Sequence, residues 1–102
     1  MLILNPQKFG IACRLAVSEV PPHLHDGLVR YLVHHIKPGG FLTSVLENNL
    51  WDAISYADSD SLAALEAIVH WIYRECPVEC RGSPRVVTEW LNDKPQAHTA
   101  TP

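Results

Sequence analysis

Cys76 and Cys80, four residues apart with His70 upstream, are the residues here whose types and spacing first suggest chemistry. Two thiolates and an imidazole could begin a zinc site, but structural zinc takes four ligands, usually as paired close-spaced sets. The second pair is missing unless Cys13 or His23-Leu24-His25 folds over, and Cys76 lies on an apolar stripe, where a free cysteine acts as a small hydrophobe. Cys80 precedes a helix start and is followed by Arg81, a setting that lowers a thiol pKa. A nucleophile also needs a base and a group to orient that base. No histidine is tied to Cys80 by sequence, and no strand-turn-helix elbow surrounds Ser83, so packing for Cys80 and capping for Ser83 is the simpler account. The carboxylate pairs Glu47 with Asp52 and Asp58 with Asp60 could do acid–base work only if their surroundings split their pKa values. Asp58 and Asp60 read better as helix-start residues. His34-His35 falls near a helix C-terminus, where an imidazolium complements the dipole. These patterns lead us to expect no catalytic residue, no metal and no cofactor, and so no enzyme.

Two polar, glycine-bearing joints remain: Pro38-Gly39-Gly40-Phe41-Leu42, running into Val45-Leu46-Glu47-Asn48-Asn49-Leu50, and Cys80-Arg81-Gly82-Ser83-Pro84. Joints held by helices are common sites of function. Gly39-Gly40 could present backbone N–H groups to an anion, although a tight turn between helices needs the same residues. Among the aromatic residues, Trp71 and Tyr56 fall off the apolar stripes, and an exposed Trp or Tyr can anchor a protein partner. The expected binding residues are Gly39, Gly40, Phe41, Asn48, Asn49, Trp51, Arg81 and Ser83. If the joints carry function, Gly82→Val and Asn49→Ala should weaken activity and leave thermal stability nearly unchanged.

The elements that would position these joints are helical. Pro21-Pro22 suits a first helical turn, and Leu24, Leu28, Tyr31, Leu32, His35 and Ile36 follow at three-and-four spacing until Pro38-Gly39-Gly40 stops the run. A second stretch carries Phe41, Leu42, Val45, Leu46 and Leu50, and Asn48-Asn49 bends it into a third, Leu50 to Ala57. Asp58-Ser59-Asp60-Ser61 starts a longer helix bearing Leu62, Leu65, Ile68, Val69, Ile72, Tyr73 and Cys76, and Pro77 ends it. Ser83-Pro84 caps a short closing helix with Val86, Val87, Trp90 and Leu91. Residues 1–20 have no clean period and fit a strand, a docked arm or a loosely ordered extension. The expected architecture is all-α: a compact bundle of four to five short helices over 21–92, an N-terminal arm over 1–20, and a flexible tail over 93–102.

The chain has 102 residues, 47% hydrophobic and 19% charged, which suits one globular domain with a modest core. Eight Lys and Arg against eleven Asp and Glu give a net charge of −3 without a basic run, so a phosphate-contacting nucleic-acid surface is not expected. Three cysteines suit reduced thiols in a cytoplasm, and no run of about 18 apolar residues is present to span a membrane.

From Tyr31 to Leu91 the chain resembles a family of small proteins common in phage and prophage genomes. The matching blocks are Pro38-Gly39-Gly40-Phe41-Leu42, Val45-Leu46-Glu47-Asn48-Asn49-Leu50, Ala57-Asp58, then Leu65, Ile68-Val69 and Tyr73, then Pro77, Cys80, Gly82-Ser83-Pro84 and Trp90-Leu91. Arg81 stands where the family usually has tryptophan, and Arg74 where it tends to have asparagine. The family brings no settled activity. The resemblance implies a phage-derived, non-enzymatic protein in a bacterial cytoplasm that binds a host protein. A CRISPR or other defence component is the expected target, as for anti-CRISPR inhibitors. The alternative is a binder of a nucleotide or signalling molecule held by the Gly39-Gly40 amides and Arg81.

Overall fold

The computed structural model describes residues 6–93; residues 1–5 and 94–102, and with them the apolar start and most of the expected tail, lie outside the described residues. Every regular element among the described residues is helical, and no strand is present there. The α-helices are α1 (Pro6–Ala16), α2 (His25–His34), α3 (Gly40–Leu46), α4 (Leu50–Tyr56), α5 (Ser59–Ala63), α6 (Leu65–Glu75) and α7 (Pro84–Asn92). Single 3-10 turns, Pro22–Leu24 and Val78–Cys80, precede α2 and α7. None of these helices is long and apolar enough to cross a membrane.

The seven helices exceed the expected four to five for two reasons. Residues without a clean period form α1, which buries Ile11 and Leu15 and packs against α2. The stretch expected as one helix from Asp58 to Cys76 is offset at Ala64, where φ is −102° and ψ 13°. The first piece is anchored by Asp58 and Ser61 to His23, whereas the second follows the core through Ile68, Trp71 and Ile72.

The end of α2 is also displaced. It stops at His34 and not at Pro38, because His35 turns left-handed at φ 56°, a conformation histidine visits more readily than most residues. The N–H groups of His35 and Ile36 then close the helix on the carbonyls of Tyr31 and Arg30, each at 3.2 Å. The His35 ring lies flat on Trp90 of α7, 4.1 Å between centroids and 14° between planes, and its Nδ1 donates to the Trp90 carbonyl at 2.6 Å. A tertiary contact therefore fixes this turn, and Ile36, expected on the buried stripe, is left exposed.

The core gathers Leu15, Leu28, Tyr31, Leu46, Ile68, Trp71, Cys80 and Val87 at its centre. Helix α3, which has no charged residue, crosses it with Phe41, Leu42 and Leu46 buried. Helix α4 lies outermost, packed on α3 and burying only Ala53.

Candidate functional site

The outward placement of α4 opens a groove of about 430 Å³ between it and α6. Leu50 and Ala53 line one wall, and Leu65, Val69, Ile72 and Tyr73 the other. The lining is mostly apolar, yet Leu50, Val69 and Tyr73 remain exposed, Tyr73 by 71%. Single exposed apolar side chains are ordinary on a protein surface; several along one groove are the feature that marks interaction sites.

The ends of the groove are set by backbone chemistry. Asn48 is left-handed at φ 64°, which lets the chain reverse after α3, and the Asn49 N–H donates to the Ser44 carbonyl at 2.8 Å. Asn49 then caps α4: its Oδ1 accepts the Asp52 N–H at 3.1 Å while its Nδ2 donates to the Asp52 carboxylate at 2.9 Å. Gly82, at φ 123°, donates its N–H to the Leu46 carbonyl at 2.8 Å and so ties the second joint to the end of α3. Arg81 closes the C-terminus of α6. Its Nε donates to the Cys76 carbonyl at 3.3 Å, its Nη2 to the Tyr73 carbonyl at 3.4 Å, and its guanidinium sits 5.3 Å from the centre of the Tyr73 ring.

Of the expected binding residues, Asn48, Asn49 and Arg81 come together on this groove. Trp51, on α4, is 81% exposed but is not one of the groove's lining residues. Phe41 is a core residue at 8% exposure, with little surface to offer a partner. Ser83 caps α7, accepting the Val86 N–H at 3.3 Å. Gly39 and Gly40 stand at the far end of α3, about 10 Å away for a helix of this length. Gly40 serves close packing instead, since a Cβ there would come 3.3 Å from the Tyr56 ring, whereas a Cβ on Gly39 would meet open space. The joints thus do not converge on one anion. Leu50, Val69 and Tyr73 were not singled out as binding residues, because Val69 and Tyr73 keep the same three-and-four spacing as the buried Ile68 and Ile72. Trp71, singled out as off the stripe, is 2% exposed, and its Nε1 has no hydrogen-bond partner among the described residues.

The other candidate residues have the following surroundings. Cys76 and Cys80 are both buried free thiols, and the Cys80 Sγ donates to the Pro77 carbonyl at 3.1 Å. Hydrogen bonding to Cys80, together with burial, holds the Cys76 thiol above the ordinary thiol range. No group of three His, Cys, Asp or Glu among the described residues is placed to hold a metal. Sequence reasoning missed one constellation: Ser61, His23 and Asp58 meet on the surface. Both the Ser61 hydroxyl and the Asp58 carboxylate lie 3.2 Å from the same nitrogen, His23 Nε2. A hydrolytic triad needs the serine on one ring nitrogen and the carboxylate on the other, so this arrangement latches α5 to the turn before α2 and does not activate a nucleophile. The Ser61 N–H, donating 2.7 Å to Asp58, is the main reason the Asp58 carboxyl is held below its usual range.

No protein-family model matches this chain, and no curated protein or solved structure matches it at a significant level.

Proposed function

We propose that this is a non-enzymatic binding protein that docks on another protein through the α4–α6 groove and the aromatic residues beside it. The observation that carries the reading is the set of exposed apolar side chains, Leu50, Val69 and Tyr73, along a groove whose Asn49 and Arg81 side chains are engaged within the chain. An apolar groove with a large exposed aromatic in its wall, here Tyr73, has the composition of an interface centre. The resemblance to phage proteins would make that partner a bacterial host protein and the docking an inhibition, with a CRISPR effector or another defence component as the target. The alternative, a small-ligand binder, would on this geometry favour an apolar molecule over a nucleotide, because the groove offers few free donors.

Affinity capture from a bacterial host lysate tests the reading, comparing the wild-type bait with Val69→Lys at matched melting temperature. One host protein held at stoichiometric level by the wild type and lost by the variant is the expected result. Equal retention by both overturns the groove as the docking site. A bait that returns alone, carrying a small-molecule mass on native mass spectrometry, moves the function to ligand binding.

A further inference from the structure

Helix α4 is mostly apolar, yet it buries only Ala53. Leu50 and Ala53 line the groove. With successive helical residues about 100° apart, Ile54 lies about 40° and Trp51 about 100° round the helix from Leu50, on the side away from Ala53. From Leu50 the apolar surface therefore continues outward over Ile54, 42% exposed, to Trp51 at 81%. Asp52, the one charged residue of α4, falls about 100° from both Trp51 and Ala53, on the opposite side of the helix, and its carboxylate accepts from Asn49. Arg81, the one charged residue in the groove lining, is engaged by the α6 carbonyls and the Tyr73 ring. One face of the molecule thus carries an apolar groove and, on the same helix, an apolar ridge that ends in a tryptophan.

We propose, resting on the reading of this groove as a protein-docking surface, that before the host protein is met its occupant is a second copy of this chain: two copies pair about a two-fold axis, and Trp51 of each seats in the groove of the other. A two-fold interface uses the same patch on both copies, so it needs a projection and a recess on one face. The ridge and the groove supply them. The area also suffices. Trp51 and Tyr73, 81% and 71% exposed, offer about 300 Å² at the 150–250 Å² that a buried aromatic covers. Leu50, Ile54 and Val69, each about half exposed, add about 50 Å² apiece. Homodimer interfaces are about 65% apolar, so this face would bury about 700 Å² per copy, or about 1,400 Å² in all, within the range of a specific interface. Charge raises no objection, because Asp52 faces away and Arg81 is already engaged, so the seam opposes no like charges. A small apolar molecule could fill the groove but would leave Ile54 and Trp51 in water. Self-association and host docking then compete for one surface.

Sedimentation equilibrium of the full chain tests this, with wild type, Trp51→Ala and Val69→Lys compared after melting curves show all three folded. The first variant removes the projection and the second charges the recess. The wild type should show twice the chain mass at ~100 µM, since interfaces of this area hold at about micromolar dissociation constants or below. Each variant should weaken the dimer at least ten-fold, and amide shifts of Val69 and Tyr73 should depend on concentration in the wild type alone. A wild type that stays monomeric at millimolar concentration overturns the proposal. So does a dimer that both variants keep, which places the interface elsewhere, and loss with only one variant overturns the seating of Trp51 in the groove. The docking reading fails separately. A monomeric wild type whose host capture is abolished by Val69→Lys sinks the dimer and keeps host docking, whereas a groove dimer whose host capture survives Val69→Lys keeps the dimer and sinks host docking.

Discussion

Tyr31 is held at both of its polar ends. Its hydroxyl donates to the Cys80 carbonyl at 2.6 Å, and its own carbonyl accepts the Trp90 indole N–H at 2.8 Å. Burial is the main reason its phenol is pushed above the ordinary tyrosine range. A raised pKa in the folded state means that the associated stability is complete below the unfolded value, about pH 10, and is lost as pH rises above it. Tyr31→Phe should therefore cost about 1–3 kcal/mol in urea unfolding at neutral pH, since it leaves the Cys80 carbonyl without this donor, and should flatten the fall in stability above about pH 10. The thiols separate by access. Cys13 is exposed, whereas Cys76 and Cys80 are buried. A disulfide reagent should count one reactive thiol in the native protein and three after denaturation. Rapid native labelling of Cys80 would instead revive a catalytic role for it.

The short elements hold their places through caps, and those caps can be weighed. Asn49→Ala should cost about 1 kcal/mol, because it removes the acceptor for the Asp52 N–H at the start of α4. Gly82→Ala should cost about 1–3 kcal/mol: nothing crowds a Cβ there, but φ 123° disfavours any side chain. A β-branched residue such as valine fits less well still. Both positions thus carry stability, contrary to the expectation that their substitution would spare folding, and chemical denaturation of the two variants checks this. The caps at Asp58 and Ser83 were legible in the sequence because a cap is a local event, made between residues three apart. The left-handed turn at His35 was not, because its ring is fixed by Trp90, 55 residues on. Nor was the capping role of Arg81, since the carbonyls it meets lie on a preceding helix whose end is set by packing. The groove escaped notice for a related reason. Periodicity identifies an apolar side chain as suited to burial, but whether a neighbour covers it depends on how far out α4 sits.

At the scale of the molecule, the first half and the last helix hold each other. Trp90 supplies the donor to Tyr31, the ring under His35, and the carbonyl that His35 bonds. Trp90→Ala should cost about 3 kcal/mol, combining lost aromatic packing with two perturbed hydrogen bonds, and calorimetric melting measures it. The loss should exceed that of Trp51→Ala, whose ring is exposed, and that contrast separates a core tryptophan from one available to a partner.

The bond from Trp90 back to Tyr31 spans 59 residues, and the one from Tyr31 to Cys80 spans 49. During synthesis, α2 leaves the ribosome long before either partner exists. Its apolar face can meet α1 early, but the turn at His35 has no ring to lie on until α7 emerges. The nascent chain should therefore gain its final structure in one late step and pull on the ribosome only once residues near 90 have cleared the exit tunnel. Until then, Leu28, Tyr31 and Leu32 present a surface that a chaperone can hold.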